Sequence, residues 1–176
     1  MIPFVRKRDG IHLTLSSGER DVLESLTSQL LQILGTGLQD DPVAHRMFPS
    51  AYPDDPEAAA EFRRYTFDDL QAQKTENARV VHAWLTGTTS GVFDERAEQA
   101  WLRTLTDLRL TVAERLGIAD TDPEDGTDPD GTGAGTDDGF GLRDVYDWLG
   151  YVQEHLVVTL TARQDEDGRE ARRGRS

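Results

Sequence analysis

The sequence predicts a mainly α protein, a helical bundle-like domain with a short N-terminal β-hairpin. Three observations predict it. Apolar residues recur at helical spacing in several long segments. Glycines and prolines punctuate the chain between those segments. Only the first fifteen residues read as strands.

The hairpin is expected over 4–15. Phe4–Arg8 and Ile11–Leu15 flank Asp9-Gly10, a dipeptide suited to a two-residue turn. Two strands alone are marginal, so they must lie against helices. Arg6, Lys7 and Arg8 fit a charged edge strand that resists pairing with other chains, and they are also a candidate basic contact patch. Ser16 and Glu19 then have capping-box spacing and open a helix that runs to about Leu34, with Val22, Leu23, Leu26, Leu30, Ile33 and Leu34 on its apolar face. Gly35-Thr36-Gly37 ends it. A short helix is expected over Pro42–Met47, with Asp41 as its cap and Pro42 where no amide is required.

Pro49, Pro53 and Pro56 forbid one continuous helix through the next stretch. The first two belong to an extended connector, which Phe48 and Tyr52 anchor to the core. Asp55-Pro56-Glu57 is a helix start, with a cap, a proline in the first turn and an acid at the positive end of the dipole. This helix should reach about Leu85, with a bend or second start near Thr75. Its inward face is expected to carry Phe62, Thr66, Leu70, Gln73, Asn77, Val81 and Trp84. The next helix starts at Asp94 and has the clearest stripe in the chain, Ala97, Trp101, Leu105, Leu108, Val112 and Leu116, before Gly117 stops it. The last should run from about Leu142 to Thr161 on Leu142, Val145, Leu149, Val152, Leu156 and Leu160, with Trp148 and Tyr151 widening the face.

The 176 residues fit one domain, 1–161, interrupted by an insertion at 119–141 and followed by a tail at 162–176. The insertion holds eight acids, many glycines and no base, so it is expected to be disordered, as is the polar tail. More than half of the formal charge of −14 sits in that one segment. It does not make a calcium loop. In a frame opening at Asp120, position six is Asp125 instead of glycine. Opening at Asp128 puts Gly133 there, but Gly139 where the bidentate acid belongs.

No catalytic residue, cofactor site or metal site is expected. The chain has no cysteine, which removes disulfides, thiolate ligands and thiol nucleophiles. His12, His45, His82 and His155 share no metal-binding spacing, and Asp68-Asp69 diverge by about 100° on a helix. There is no nucleophile elbow, phosphate loop or dinucleotide fingerprint. No apolar run is long enough for a membrane span and no signal core follows the N-terminal bases, so a cytoplasmic location is expected, with no membrane partner. The acidic balance disfavours DNA, although it leaves local basic patches open. Arg63 and Arg64 are expected to pair with acids three or four residues away, or else to meet an acidic partner.

Three segments together, DPVAHRMFPSAYPDDPEAAAEFRRYTFDDL, WLRTLTDLRLTVAERLGI and DVYDWLGYVQEHLVVTL, resemble an actinobacterial family formerly known only as a domain of unknown function, the oxidative stress regulator AosR-like proteins. The resemblance runs from the hairpin to about Leu160 and omits the insertion and tail. It is most specific at Phe48-Pro49, Ala51-Tyr52, Asp54–Ala58 and Phe62–Arg64. It implies a cytoplasmic regulator of stress-responsive transcription acting through contact with a sigma factor or RNA polymerase, and it carries no catalytic residue or cofactor. A thiol sensor needs cysteine, so thiol sensing is excluded in this chain, and Met1 and Met47 are poor substitutes. The candidate partner-contact residues are Phe48, Tyr52, Arg63, Arg64, Arg6, Lys7 and Arg8. The rival readings are a direct DNA-binding regulator, an enzyme with an unrecognised pocket, and a homodimerisation module using apolar faces such as Trp148 and Tyr151.

Overall fold

The computed structural model describes residues 2–36, 42–49, 54–118 and 141–173, without the side chains of 44, 45 and 163–173. Tyr52, the Asp41 cap and all of the acidic insertion except Gly141 lie outside the described residues. The elements run β1 (Phe4–Lys7), β2 (Gly10–Leu13), α1 (Ser17–Gly35), α2 (Pro42–Met47), α3 (Pro56–Leu85), α4 (Glu95–Arg115) and α5 (Leu142–Arg173). The expected mainly α fold with an N-terminal antiparallel hairpin is the observed one.

α4 is the central element. It packs against α1, α2, α3 and α5, while α1 also packs on α3 and β1 touches α5. Its sequence allows this. The stripe of Trp101, Leu105, Leu108 and Val112 is buried, and so are Ala97, Ala100, Thr104 and Thr111, whose small side chains let neighbouring helices approach. The N-terminal end of α4 receives the hairpin. Phe4 stands edge-on to Trp101 at 5.6 Å and to Phe93 at 5.8 Å, and Trp84 meets Phe93 at 4.5 Å. Such ring pairs contribute about 0.5–1.5 kcal/mol each beyond their buried area.

The hairpin turn lies one residue earlier than the sequence suggests. Lys7 pairs with Gly10, so the two-residue loop is Arg8-Asp9. Gly10 begins β2 with φ +134°, and a Cβ there would lie 2.3 Å from Val92 Cγ1. The glycine serves a close crossing by the 92–93 segment, whose Phe93 amide donates to the Ile11 carbonyl at 2.9 Å.

α1 starts as expected. The Ser16 hydroxyl accepts from the Glu19 amide at 3.3 Å, and the Glu19 carboxylate accepts from the Ser16 amide at 2.8 Å. The Asp55 carboxylate caps α3 by accepting from the Ala58 amide at 3.0 Å. α3 is unbroken at Thr75, whose hydroxyl donates to the Gln71 carbonyl without interrupting the helix.

Two expectations for the helices need correction. In the N-terminal half of α3 the outward face carries Phe62, Tyr65 and Leu70, which are 42%, 65% and 41% exposed. The inward stripe there is Phe67, Gln71, Lys74 and Ala78, one residue round the helix from the stripe chosen by apolarity. Polar side chains hold the inward positions because each has a partner. Gln71 donates to the Leu34 carbonyl at 2.5 Å, and Lys74 donates to Asp107 at 2.6 Å. α5 continues past Thr161 to Arg173. The residues from Ala162 onward are mostly good helix formers, with acids and bases spaced three and four apart, so the backbone stays helical after the apolar stripe has ended.

Candidate functional site

An apolar concavity lies between the end of α2 and the N-terminal half of α3. It has a volume of about 620 Å³. One wall is Met47, Phe48 and Pro49. The other is the α3 face from Pro56 through Ala59, Ala60, Arg63 and Phe67 to Leu70. Proline at the first helical position and the alanines after it give this wall a low profile.

Phe48 anchors the first wall. It is nearly buried, and its ring lies 4.8 Å from that of Phe67. The Lys74 ammonium stands 5.6 Å from the Phe48 ring centre while donating to Asp107. Desolvation of Asp107 raises its pKa, and the hydrogen bond and charge of Lys74 oppose that rise. On the same side of the molecule Arg46 pairs with Glu114 and donates to the Ile118 carbonyl, tying α2 to the end of α4.

Arg63 and Arg64 do not pair with acids as the helical spacing suggests. The Arg63 guanidinium lies 5.2 Å from the Phe67 ring, and that of Arg64 lies 4.9 Å from the Tyr65 ring and donates to its hydroxyl at 2.7 Å. Among the described groove-lining residues, the ionisable side chains are two cations, Arg63 and Lys74. The one hydroxyl, that of Thr66, donates back to the Phe62 carbonyl at 2.8 Å. Such a lining can hold an apolar group beside a negative charge. It supplies no base or activated nucleophile.

The candidate contact residues therefore divide. Phe48, Arg63 and Arg64 share one region. Arg6, Lys7 and Arg8 belong to the hairpin, which docks beside Phe93 and Trp101 at the other end of α4. Tyr52 is outside the described residues. Two of the histidines have local partners: His12 bonds Asp9 at 2.9 Å, lowering the Asp9 pKa, and His155 lies near Thr159 and Tyr151. Among the described residues no group of three ligating side chains converges, and no helix is long and apolar enough to cross a membrane. Sequence reasoning missed Tyr65, Leu70, Ala59 and Ala60 as surface features. The available signal was the presence of two adjacent stripes on α3, only one of which a core on one side can take.

A family model described as a domain of unknown function, DUF2017, matches residues 1–160. No curated protein and no solved structure matches the chain. The family match covers the hairpin, α1 to α4 and the apolar stripe of α5, and so takes in the groove and every element that builds it; the chain belongs to the DUF2017 family.

Proposed function

We propose that this chain is a non-enzymatic transcription regulator of the stress response that works by protein contact, with the groove between Phe48 and α3 as its contact site. The observation that carries the reading is the composition of that groove. Outward apolar side chains lie beside two cations in a surface whose overall charge is strongly negative. A partner segment with an apolar anchor and an adjacent acid is complementary to it.

The likeness of the chain, from the hairpin to about Leu160, to the oxidative stress regulator AosR-like proteins supplies the kind of partner, a sigma factor or RNA polymerase. Regulation in this member does not run through thiol oxidation, because there is no cysteine to oxidise. The charge of −14 argues against DNA as the primary contact, and the two basic clusters lie at opposite ends of α4 instead of forming one stripe.

The test is capture from native lysate on immobilised full-length chain, with and without nuclease, beside an Ala60→Glu variant that places an acid in the groove. The reading expects a polymerase or sigma subunit that survives nuclease and is lost with Ala60→Glu. If that subunit leaves with the nucleic acid, or binds the variant equally well, the reading fails.

A further inference from the structure

One row of α3 changes its role halfway along the helix. Pro56, Ala60, Arg63, Phe67, Leu70 and Lys74 follow one another at alternating steps of four and three. The row continues as Ala78, Val81 and Leu85. At 100° per residue the whole row falls within a sector of about 80°. Steps of three and four are the spacing by which one helix receives another.

The C-terminal part of the row does receive helices. Ala78, Val81 and Leu85 are buried, and α1 and α4 pack on α3. α1 follows α3 from Arg20, which donates to the Trp84 and Leu85 carbonyls, to Leu34, whose carbonyl accepts from Gln71. α4 meets the row at Lys74 through Asp107. α1 then ends at Gly35, while α3 extends on to Pro56. From Leu70 back to Pro56, about 21 Å of helix, the row becomes the wall of the groove, facing Met47, Phe48 and Pro49. Leu70 is 41% exposed there, and Ala60 and Arg63 are exposed as well.

The charges of this half of α3 are sorted by face. Within about 100° either side of Arg63, the turns from Pro56 to Lys74 carry Arg63, Arg64 and Lys74 and no acid. The four acids of the same turns, Glu57, Glu61, Asp68 and Asp69, all fall on the opposite face. Lys74 is committed to Asp107. Arg63 and Arg64 are exposed, and among the described residues neither has an ion-pair partner. A chain of net charge −14 thus turns a basic face with an apolar centre toward the groove.

We infer that the occupant of the groove is an acidic amphipathic helix of the partner protein, lying along α3 beyond the point where α1 ends. Its apolar row meets Ala60, Phe67 and Leu70, and acids beside that row meet Arg63 and Arg64. The inference rests on the reading of the groove as the contact site, and names the kind of segment that fills it.

The probes are labelled synthetic peptides of about 18 residues, rich in alanine, with leucines at steps of three and four. In one set a pair of glutamates is moved round the helix relative to the leucine row. A second set has lysine for each glutamate, and a third repeats the first with proline at the centre. Each is titrated with the full-length chain and followed by fluorescence anisotropy. Net charge alone favours the lysine set. The inference expects the reverse: the peptide with both glutamates beside the leucine row binds at least about tenfold more tightly than its lysine counterpart, and the central proline abolishes binding. Ala60→Glu should weaken that binding about tenfold, and Arg63→Glu with Arg64→Glu should reverse the preference between glutamate and lysine. Far-UV circular dichroism of the variants checks that α3 is retained. The inference is overturned if no glutamate peptide binds at the highest soluble concentration of the chain, or if the lysine or proline peptides bind equally well. Binding that Ala60→Glu leaves unchanged overturns it too. A polymerase or sigma subunit captured through the groove while no helix binds sinks this inference alone. Helices that bind while no such subunit is captured sink the regulatory reading and leave this one standing.

Discussion

Asp107 is buried on α4, and its carboxylate is held by a single long side chain, Lys74 of α3. A carboxyl whose folded pKa is raised binds its proton more tightly folded than unfolded. Its ionisation therefore lowers stability as pH rises from the ordinary value near 3.8 through the folded pKa. Lys74 limits that loss. Lys74→Met keeps the apolar stem and removes the charge, leaving a buried carboxylate unpaired. At neutral pH it should cost about 3–5 kcal/mol. The deficit should shrink as pH falls through the folded pKa, because the neutral acid needs no cation. Adding Asp107→Leu should recover most of the loss, since an apolar pair often replaces a buried ion pair without penalty. Urea unfolding of the three proteins across pH checks all of this, and a deficit that is the same at low and neutral pH would refute it.

Among the elements, the start of α1 was legible in the sequence and the inward face of α3 was not. The Ser16–Glu19 box involves only neighbours, so local spacing determines it. The hydrogen bonds from Ser16 hold the Glu19 carboxyl below its ordinary 4.5. A depressed folded pKa contributes stability that is present above 4.5 and lost as pH falls through the folded value. Glu19→Gln should therefore cost a few tenths of a kcal/mol at neutral pH, where the site is largely solvated, and almost nothing below the folded pKa. Thermal melts of both proteins at several pH values measure the convergence. α3 was misread because Phe62 and Leu70 are more apolar than Gln71 and Lys74, and only the partners on α1 and α4 reveal which row is buried. The hairpin turn was misplaced for a similar reason. Gly10 is required by Val92, which is remote in sequence, and not by the turn itself.

For the whole molecule, the architecture followed from periodicity, because α4 carries one unambiguous stripe that organises the rest. The candidate site was only partly legible. Phe48 and Arg63 stand out in the sequence, but their union with Met47, Ala59 and Leu70 depends on α2 packing on α4, which sets Phe48 against Phe67. The placement of the hairpin cations at the far end of α4 likewise depends on tertiary packing. One further result concerns time instead of shape. α3 is a single hydrogen-bonded helix of 30 residues, about 45 Å long, yet its fully buried residues all lie at Ala78 and beyond. Deuterium uptake along it should therefore follow two clocks. Amides from about Ala78 to Leu85 should exchange only when the whole domain opens, and those from Ala59 to Leu70 through local fraying, orders of magnitude sooner.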